Sequence, residues 1–395
     1  MNKQKICVIG AGLSGLITAF ALSKLDISVD LIAESEVKNS TTNRTTAISQ
    51  NNYNFLKRLN VSNFPQKEFW PCSEMEIYSA NGAEKYKKIF DLKNENNTSE
   101  KILYMVKNSK IIDYLLKNIK KNSLIKIKNK KKVLQIENEE FLNVIKFGDN
   151  NGLKKKYNLI IVCTGNNLNF LKKKFAQDKL ERSYKEIAIT TILKHKTVKN
   201  KIARQIFFKD SIFAILPISK NKSSIVWSLN KKDLSSNKTQ LNKFLKKKIK
   251  DHTRKFLRGV VFISKIEFGN LNLLIRKNYF DERILLFGDT LHLVHPLTGQ
   301  GFNMVLRDLQ ILEGILKEKI KLGLDIGSFD ILSEFSMKAK YKNFIYSLGI
   351  DFLKNFFSLK QDSLNSLRNR IVIKANKNNF FKKQIIKIAN QGINF

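Results

Sequence analysis

The sequence predicts an α/β protein in which a parallel sheet is interrupted by a second sheet and followed by a helical C-terminus. Three observations support this fold class. The chain opens with an apolar strand, a helix and a second apolar strand; short β-rich segments fill about residues 187–266; and an apolar strand returns at Ile284, ahead of a helical, basic and aromatic end. We therefore expect the first domain to be discontinuous in sequence.

The opening unit has the order strand, helix, strand. We predict a strand over Lys5–Ile9, a helix over residues 13–24 and a second strand over residues 28–33, because both strand segments are continuous apolar runs. A helix over about residues 107–119 and an apolar strand over residues 157–163 extend the same domain. This order is typical of βαβ units around a parallel sheet.

Three glycines lie between the first strand and the first helix. In this spacing Gly10 permits a tight turn, Gly12 lets the backbone approach a pyrophosphate, and Gly15 allows the helix to pack closely on the strand. The unpaired N–H groups at the start of the helix favour an anion. Glu34, at the end of the second strand, is placed to accept hydrogen bonds from an adenosine ribose. The unit therefore predicts dinucleotide binding.

A second motif begins with the apolar strand at residues 284–287, which is followed by Gly288 and Asp289. The carboxylate of Asp289 thus follows the carboxyl end of a strand, where ligands approach an open α/β sheet. A sugar-alcohol hydroxyl is the natural partner for such a carboxylate. The alternative interpretation is an ordinary helix cap made by Asp289 and followed by a glycine turn.

Further along the same motif, Gly299 and Gly301 expose backbone N–H groups at the start of a helix that includes Phe302 and Asn303. The positive end of this helix would stabilise negative charge on the edge of a reduced flavin ring. Together, a pyrophosphate site near the N-terminus and this distant motif predict that the chain binds a flavin dinucleotide.

The net charge is strongly positive, since 72 Lys and Arg oppose 34 Asp and Glu in 395 residues, for a formal charge of +38. Two interpretations remain open: a compositional drift along the whole chain, or attraction to acidic lipid head groups or an acidic partner. No zinc-finger spacing, helix-turn-helix or aromatic RNA-binding signature accompanies the charge. We therefore expect no nucleic-acid partner.

The cysteines and the apolar runs bear on the compartment. Cys7, Cys72 and Cys163 cannot all pair with one another, which indicates a reducing environment. No uninterrupted run reaches about 18 apolar residues, so we expect a cytoplasmic protein whose membrane contact, where it exists, is peripheral to the inner face of the membrane.

Metal binding is not predicted. His292 and His295 are close in sequence, but no cysteine or carboxylate cluster completes a coordination set around them. The sequence also has no Gly-x-Ser-x-Gly elbow for nucleophilic catalysis.

The C-terminal segment combines apolar and basic residues. It could lie in a bilayer interface with its lysines toward phosphates, or it could pack as helices on the domain, and both interpretations remain open. The residues concerned are Phe352, Leu353, Phe356, Phe357, Phe380, Phe381, Ile385, Ile386 and Ile388, with Lys382, Lys383 and Lys387.

Residues 288–308 resemble the FAD-dependent aromatic hydroxylases of ubiquinone biosynthesis, the 2-polyprenyl-6-methoxyphenol hydroxylase-like family. The most specific element is His-Pro-x-x-Gly-Gln-Gly, at residues 295–301. Three further places agree: the Arg-x-x-Ala-Ile-Ser segment at 44–49, the Tyr-x-Val segment at 104–108, and the Ala-Ile-Leu-Pro-Ile segment at 214–218 together with the pair Val226-Trp227. The likeness extends from residue 1 to about residue 320.

The resemblance implies a fold of the para-hydroxybenzoate-hydroxylase type. A Rossmann-like FAD-binding domain would comprise residues 1–70, 101–180 and 270–328, and an inserted β-sheet substrate domain residues 71–100 and 181–269, with a helical, basic region at 329–395. It implies an FAD-dependent monooxygenase that hydroxylates the ring of a polyprenylated phenol with O2 through a C4a-hydroperoxyflavin. Other proteins of ubiquinone biosynthesis are expected partners.

The motifs and the resemblance together predict the site residues. Pro296, Gly299, Gln300 and Gly301 are expected to line the reaction site. The residues expected at the cofactor are Gly10, Gly12, Gly15, Glu34, Arg44, Val106, Gly288, Asp289, Gly299, Gly301, Phe302 and Asn303.

Departures from the family pattern leave some questions open. The pair Thr164-Gly165 replaces the usual Asp-Gly, so the electron donor could be NAD(P)H or another reductant. Lys107 replaces a glutamate, Thr290-Leu291 replace two alanines, and Val305 replaces a glycine. Two alternatives therefore remain: a flavin-dependent reductase or epoxidase of another isoprenoid or aromatic compound, and a non-catalytic lipid-binding subunit with a flavin fold.

Overall fold

The structure is a computed structural model that describes residues 4–59, 68–81, 85–93, 101–148, 154–165, 175, 179–234, 238–295, 299–357 and 362–391. Short 3-10 turns occur at Lys231–Asp233 and Gly288–Thr290. The helices are α1 Leu13–Ser23, α2 Gln50–Arg58, α3 Asn108–Ile119, α4 Lys238–Thr253, α5 Gly301–Lys321, α6 Phe329–Phe357, α7 Asp362–Asn376 and α8 Asn379–Gln391. The strands are β1 Lys5–Ile9, β2 Ser28–Ile32, β3 Thr45–Ser49, β4 Trp70–Cys72, β5 Glu74–Asn81, β6 Lys85–Lys93, β7 Leu103–Lys107, β8 Ile125–Lys128, β9 Val133–Glu139, β10 Leu142–Phe147, β11 Lys154–Tyr157, β12 Leu159–Val162, β13 Lys179–Lys194, β14 Ile202–Phe207, β15 Ile212–Ser219, β16 Lys222–Asn230, β17 Val261–Phe262, β18 Glu267–Arg276, β19 Phe280–Asp281, β20 Ile284–Leu286 and β21 His292–Leu293.

A six-stranded sheet forms the centre of the first domain, in the order β19-β20-β12-β1-β2-β8. Its strands run parallel except for the edge pair β19 and β20. The side chains of β12 are fully buried, as is typical of a parallel strand covered on both faces. The βαβ start and the return of the chain near Ile284 are as predicted from the sequence. The predicted α/β fold class is confirmed.

A second sheet of nine strands has the order β21-β18-β13-β16-β15-β14-β5-β6, with β17 paired to β13. Its pairs are antiparallel except for β14 beside β5. Helix α4 covers one face, where Leu245 and Ile249 pack with Phe213 and Trp227. Strand β18 pairs with β13 along most of its length and so crosses the limit predicted at residue 270. The exact domain limits remain a prediction.

Two small sheets complete the architecture, and one of them positions the site. Strand β3 pairs with β7, which pairs in turn with β4. The side chain of Asn303, in the first turn of α5, donates from Nδ2 to the carbonyl oxygen of Ala47 on β3 at 2.7 Å and accepts from the backbone N–H of Ser49 at 3.0 Å. Strand β3 is thereby fixed against the start of α5.

The C-terminal region is helical, as predicted. Leu332, Phe335 and Ala339 of α6 are fully buried in the core of the first domain. Helices α7 and α8 pack on the nine-stranded sheet, where Val372 and Ile386 contact the cluster around Phe90 and Leu92 of β6. These helices therefore pack on the domain, one of the two alternatives left open by the sequence. Among the described residues, no helix has the length and apolarity needed to cross a membrane.

Candidate active site

A cleft of about 490 Å³ opens at the carboxyl ends of β1, β2 and β12. Gly10 and Gly12 line it on one side, Glu34 at the end of β2, and Asp289 from the distant second motif. The structure therefore brings the two sequence motifs together around one cavity, as the flavin-dinucleotide interpretation requires.

The glycines of the first motif have different tasks. A Cβ atom at Gly15 would lie 1.8 Å from the carbonyl oxygen of Gly10, so only glycine allows α1 to pack this closely on the turn. A Cβ atom at Gly12 would meet no described atom within 4 Å, because this residue faces the open cleft. Gly12 is the N-cap of α1 and has no side chain to occupy the first N–H groups of the helix. Those N–H groups are available to an anion.

The far end of this cleft is polar and charged. Glu34 lies beside Lys38, and Lys131 contributes from the loop before β9. A carboxylate there can accept hydrogen bonds from sugar hydroxyls, and the lysines favour phosphate oxygens. The sequence predicted Glu34 but missed Lys131, since it stands within a lysine-rich run that has no distinguishing motif.

Asp289 lies in the 3-10 turn after β20. Gly288 has φ +62°, and a Cβ atom there would lie 2.7 Å from the Cβ atom of Ser14, so glycine is needed for the turn to rest against α1. Asp289 is solvent-exposed where it faces the open cleft. The protein around its carboxyl group still removes part of its hydration, which raises the pKa of Asp289 above its ordinary value, against the opposing charges of His292 and Arg44.

A second cavity of about 570 Å³ continues from Asp289 into the space between the two large sheets. Arg44, Gly299, Gly301 and Phe302 line it, as predicted for residues near the cofactor. The opposite wall includes Val226, from the Val-Trp pair noted in the sequence, and residues of β13 and β18 that the sequence did not identify, since they belong to no motif. The residues not identified are Ala188, Thr190, Glu267, Phe268, Gly269, Asn270 and Leu271.

A third cavity of about 460 Å³ lies behind the Gly299–Gly301 turn and is mainly apolar. Gln300 and Asn303 line it, whereas Gly299 and Gly301 line the second cavity. The turn and strand β3 therefore separate a cavity with many polar lining groups from a mainly apolar one. The remaining wall comes from β5, β6, β14 and the start of β7 and from the C-terminal helices α6, α7 and α8.

Three buried polar atoms at these cavities have no hydrogen-bond partner among the described atoms. They are Oγ1 of Thr164 in the first cavity, Oγ1 of Thr45 in the second and Oε1 of Gln300 in the third. Buried polar atoms are rarely left unpaired in native proteins, because the lost hydration costs free energy. The three atoms therefore fit cavities that receive polar groups from bound molecules.

A charged network connects the loop before the turn with α6. Nε2 of His295 lies 3.2 Å from Oε2 of Glu186, and Nζ of Lys354 lies 2.7 Å from Oε1 of the same carboxylate. Burial would raise the pKa of Glu186, but the hydrogen bonds from His295 and Lys354 outweigh it and lower that pKa below its ordinary value. Tyr184 donates to Asp351 at 2.9 Å. Helix α6 is thus fastened beside the turn.

The other histidine of the motif also has a structural partner. Nε2 of His292 lies 2.8 Å from Oδ2 of Asp308, which also accepts from Asn343. Within the part of the chain that the structure describes, no group of three or more possible metal ligands occurs. Cys7, Cys72 and Cys163 are buried and free.

Not every predicted site residue lines a cavity. Pro296 lies outside the described residues. Val106 is buried in the core behind β3 and does not contribute to the wall of these cavities, so the structure gives no direct contact for it with the cofactor space. The side chain of Asn303 lines the third cavity rather than the first two, and Oδ1 also accepts from Nδ2 of Asn52 at 2.8 Å.

Thr290, a departure from the family pattern, contacts the glycine that follows the departure at Thr164. Oγ1 of Thr290 accepts a hydrogen bond from the backbone N–H of Gly165 at 2.7 Å. The carbonyl oxygen of Thr290 accepts from Nε of Arg276, also at 2.7 Å. Thr290 thereby ties the Thr164-Gly165 corner to the turn that contains Asp289.

Comparisons with known proteins agree with this geometry. Residues 3–322 match the family model described as FAD binding domain. The chain is similar to the mitochondrial ubiquinone biosynthesis monooxygenase COQ6 of Dictyostelium discoideum, with 24% identity over 93% of this chain and 87% of that protein. It is 31% identical to the ubiquinone hydroxylase UbiL of Rhodospirillum rubrum over 44% of this chain and 41% of that protein.

Among solved structures, p-nitrophenol 4-monooxygenase PnpA of Pseudomonas putida superposes with a TM-score of 0.81 at 16% identity, over 100% of this chain and 99% of that chain. This likeness shows a shared fold. The expected cofactor, FAD, and the resemblance to FAD-dependent hydroxylases of ubiquinone biosynthesis are confirmed. With the family match covering most of its length, the chain belongs to the FAD binding domain family.

Proposed function

We propose that the protein is an FAD-dependent monooxygenase that hydroxylates the aromatic ring of a polyprenylated phenol in ubiquinone biosynthesis. The observation that carries this proposal is the position of Asp289, which is shared by two polar cavities that continue one another, with an apolar cavity behind the adjoining turn. The polar pair suits a long dinucleotide, and the apolar cavity suits a lipid-like substrate.

In this proposal the first motif holds the adenine half of FAD. The N–H groups at the start of α1, beside Gly12, bind the pyrophosphate, and Glu34 accepts hydrogen bonds from the adenosine ribose. Gly10 and Gly15 shape the turn. Their role is to let backbone and cofactor approach each other.

The second motif holds the flavin half. Asp289 accepts from a ribityl hydroxyl, and the N–H groups at the start of α5, from Gly301 to Asn303, face the ring edge. The positive end of α5 and the nearby Arg44 favour the negative charge of the reduced ring. Bound FAD supplies the activation of O2, from which one oxygen atom enters the substrate ring and the other leaves as water.

The chain itself has to orient the phenol and keep water away. We propose that the ring lies beside Gln300, whose unpaired Oε1 accepts a hydrogen bond from the phenolic hydroxyl. Asn303 holds β3 and α5 in register, and so fixes the turn at which the phenol ring and the flavin edge would come together. Pro296 lies outside the described residues, and its role at the reaction site stays a prediction. The electron donor is NAD(P)H or another reductant.

We further propose peripheral contact with the cytoplasmic membrane face through the C-terminal helices. Phe352 is 65% exposed and Phe380 71% exposed, and Lys383 and Lys387 are exposed on the same helix as Phe380. Apolar side chains bordered by lysines suit an anionic bilayer surface. We expect the protein to co-sediment with anionic vesicles and not with zwitterionic ones. Equal binding to both kinds of vesicle, or binding to neither, would contradict the proposed membrane contact.

Genetic complementation tests the main proposal. The gene is introduced separately into strains that lack each single ring-hydroxylation step of ubiquinone synthesis, and the accumulated intermediates are identified by mass. We expect one strain to recover ubiquinone and to lose its intermediate, and an Asp289→Ala variant to restore neither. Turnover without O2 would instead indicate a reductase, and a purified protein that stays colourless after reconstitution with FAD would indicate a non-catalytic subunit.

A further inference from the structure

We infer that the C-terminal helices α6, α7 and α8 form the binding site for the isoprenoid tail of the substrate and that their packing sets the tail length the site accepts. This inference rests on the proposed function, because it concerns the third cavity and the substrate assigned to it. The helices lie outside the family match, which ends at residue 322. No feature of the cofactor motifs specifies them.

The cavity has two apolar walls. One wall is the face of the nine-stranded sheet and its neighbours, and the other consists of the C-terminal helices. The sheet side contributes Met75, Ile77, Phe90, Leu92, Ile102, Leu103 and Phe207, and the helices contribute Phe352, Leu353, Phe356, Phe357, Ile371, Val372, Ala375, Phe381, Ile385, Ile386 and Ala389.

Polar residues in the lining cluster at one end. Gln300 and Asn303 belong to the turn and the start of α5, and Ser49 donates from Oγ to the carbonyl oxygen of Asn390 at 3.3 Å. Away from this end, nearly all of the lining is aliphatic or aromatic, with Gln205 on β14 as the exception. This arrangement matches a molecule with a polar ring at the turn and a long apolar chain directed toward the helices.

The opposite end of the cavity reaches the surface through apolar side chains. Phe352 is 65%, Ile371 51% and Phe381 44% exposed, although each lines the cavity. Exposed apolar patches are usually binding sites, because water contact makes them unfavourable in isolation. A tail can therefore enter between the three helices, on the side where the chain exposes Phe380 to solvent.

Hydrogen bonds at the edge of the cavity fix the position of α7, so that the helices do not close the space between themselves and the sheet. Nη1 of Arg368 donates to the carbonyl oxygen of Phe357 at 2.9 Å, and Nη2 donates to Oγ of Ser79 at 3.2 Å. Asn376 and Asp91 exchange two hydrogen bonds of 2.9 Å. These contacts fix α7 on β5 and β6 while a space of about 460 Å³ remains between them. Protein cores contain few voids larger than a water molecule, so a space of this size indicates a ligand site.

The test uses FAD-loaded full-length protein and isoprenoid alcohols of two, three and four units, titrated by calorimetry. Wild type should bind more tightly with each added unit. Ala389→Phe fills the cavity and should weaken binding of the longest alcohol by about tenfold or more, since the apolar area buried on binding is lost. The FAD absorption spectrum should not change. Gln384→Phe adds the same ring on the exposed side of α8 and should bind like wild type.

Ala375→Phe on α7 repeats the test from the other helix if Ala389→Phe does not fold. Affinity that is independent of chain length in wild type, or equal losses in Ala389→Phe and Gln384→Phe, would overturn the inference. The two proposals fail separately. Protein that binds long alcohols with the expected dependence but hydroxylates no phenol contradicts only the proposed function, whereas hydroxylation without length dependence contradicts only the tail site.

Discussion

The polar cavities around Asp289 and the apolar cavity behind the Gly299–Gly301 turn are built by different means. The polar pair depends mainly on backbone: strand ends, helix N-termini and glycines, of which Gly15 and Gly288 leave no room for a side chain. The apolar cavity depends on side chains from five strands, β3, β5, β6, β7 and β14, and from helices α5 to α8, which are distant in sequence. Backbone geometry demands particular residues at fixed spacing, whereas an apolar wall accepts many residues of similar size.

The strongest test of the backbone-built region compares two alanine substitutions. Gly15→Ala places a Cβ atom 1.8 Å from the carbonyl oxygen of Gly10, so it should destabilise the fold by about 3 kcal/mol or more and abolish FAD binding. Gly12→Ala meets no described atom within 4 Å and should leave stability unchanged, but its methyl group occupies the space for the pyrophosphate and should also abolish FAD binding. Urea unfolding and FAD fluorescence measure the two effects. Tight FAD binding by Gly12→Ala would show that the cleft is not the pyrophosphate site.

Substitutions in the side-chain-built region should affect stability and tail binding but not FAD binding. Phe357 is 7% exposed and stacks on Phe207 with ring centroids 4.1 Å apart. Phe357→Ala should cost about 3 kcal/mol of unfolding free energy and weaken isoprenoid binding, while FAD binding persists. Phe344→Ala, on the exposed side of α6 at 45% exposure, should change stability by less than about 0.5 kcal/mol. Loss of FAD together with loss of tail binding in Phe357→Ala would mean that the two regions are not independent.

Asp289→Asn sharpens the comparison by separating stability from binding. Removing the charge should weaken FAD binding by about 1.5–3 kcal/mol, or roughly tenfold to hundredfold, because a hydrogen bond to a charged group is lost. In the protein without FAD, by contrast, the same substitution should stabilise the fold. Burial raises the pKa of Asp289, so its contribution to stability is present below the ordinary value of 3.8 and is lost as pH rises above it.

The FAD-free Asp289→Asn variant should therefore become progressively more stable than FAD-free wild type as the pH increases from 3.8 toward neutrality. Urea unfolding at a series of pH values checks this trend. A wild-type protein that gains stability over the variant in that range would contradict the raised pKa of this carboxyl group.

The smallest expected effect concerns the hydrogen bond between Thr290 and the Thr164-Gly165 corner. Thr290→Ala removes the acceptor for the Gly165 N–H group and should cost about 1 kcal/mol, since Thr290 is fully buried. Thr290→Ser keeps the hydroxyl and should recover most of that loss. A similar loss in both variants would show that the methyl group of Thr290, and not its hydroxyl, stabilises the corner.

The backbone-built region could be predicted from the sequence because its geometry requires particular residues in short motifs. Gly12, Glu34 and Asp289 were predicted from spacing alone and line one cleft. Sequence reasoning did not recover the wall on β13 and β18, where Thr190 and Asn270 line the same cavity only because two strands pair. The apolar cavity was not predicted from the sequence for the same reason. Its helices were recognised as amphipathic, but their partners on β5 and β6 depend on tertiary packing.

The most direct test of the central claim is a single turnover with labelled oxygen. The bound FAD is reduced chemically without air, which removes the need to know the natural donor, and the protein is then mixed with 18O2 and a prenylated phenol. The account predicts one 18O atom in the product ring and a smaller yield when the phenol has no tail. Product that carries oxygen only from water, or product formed without O2, would contradict it.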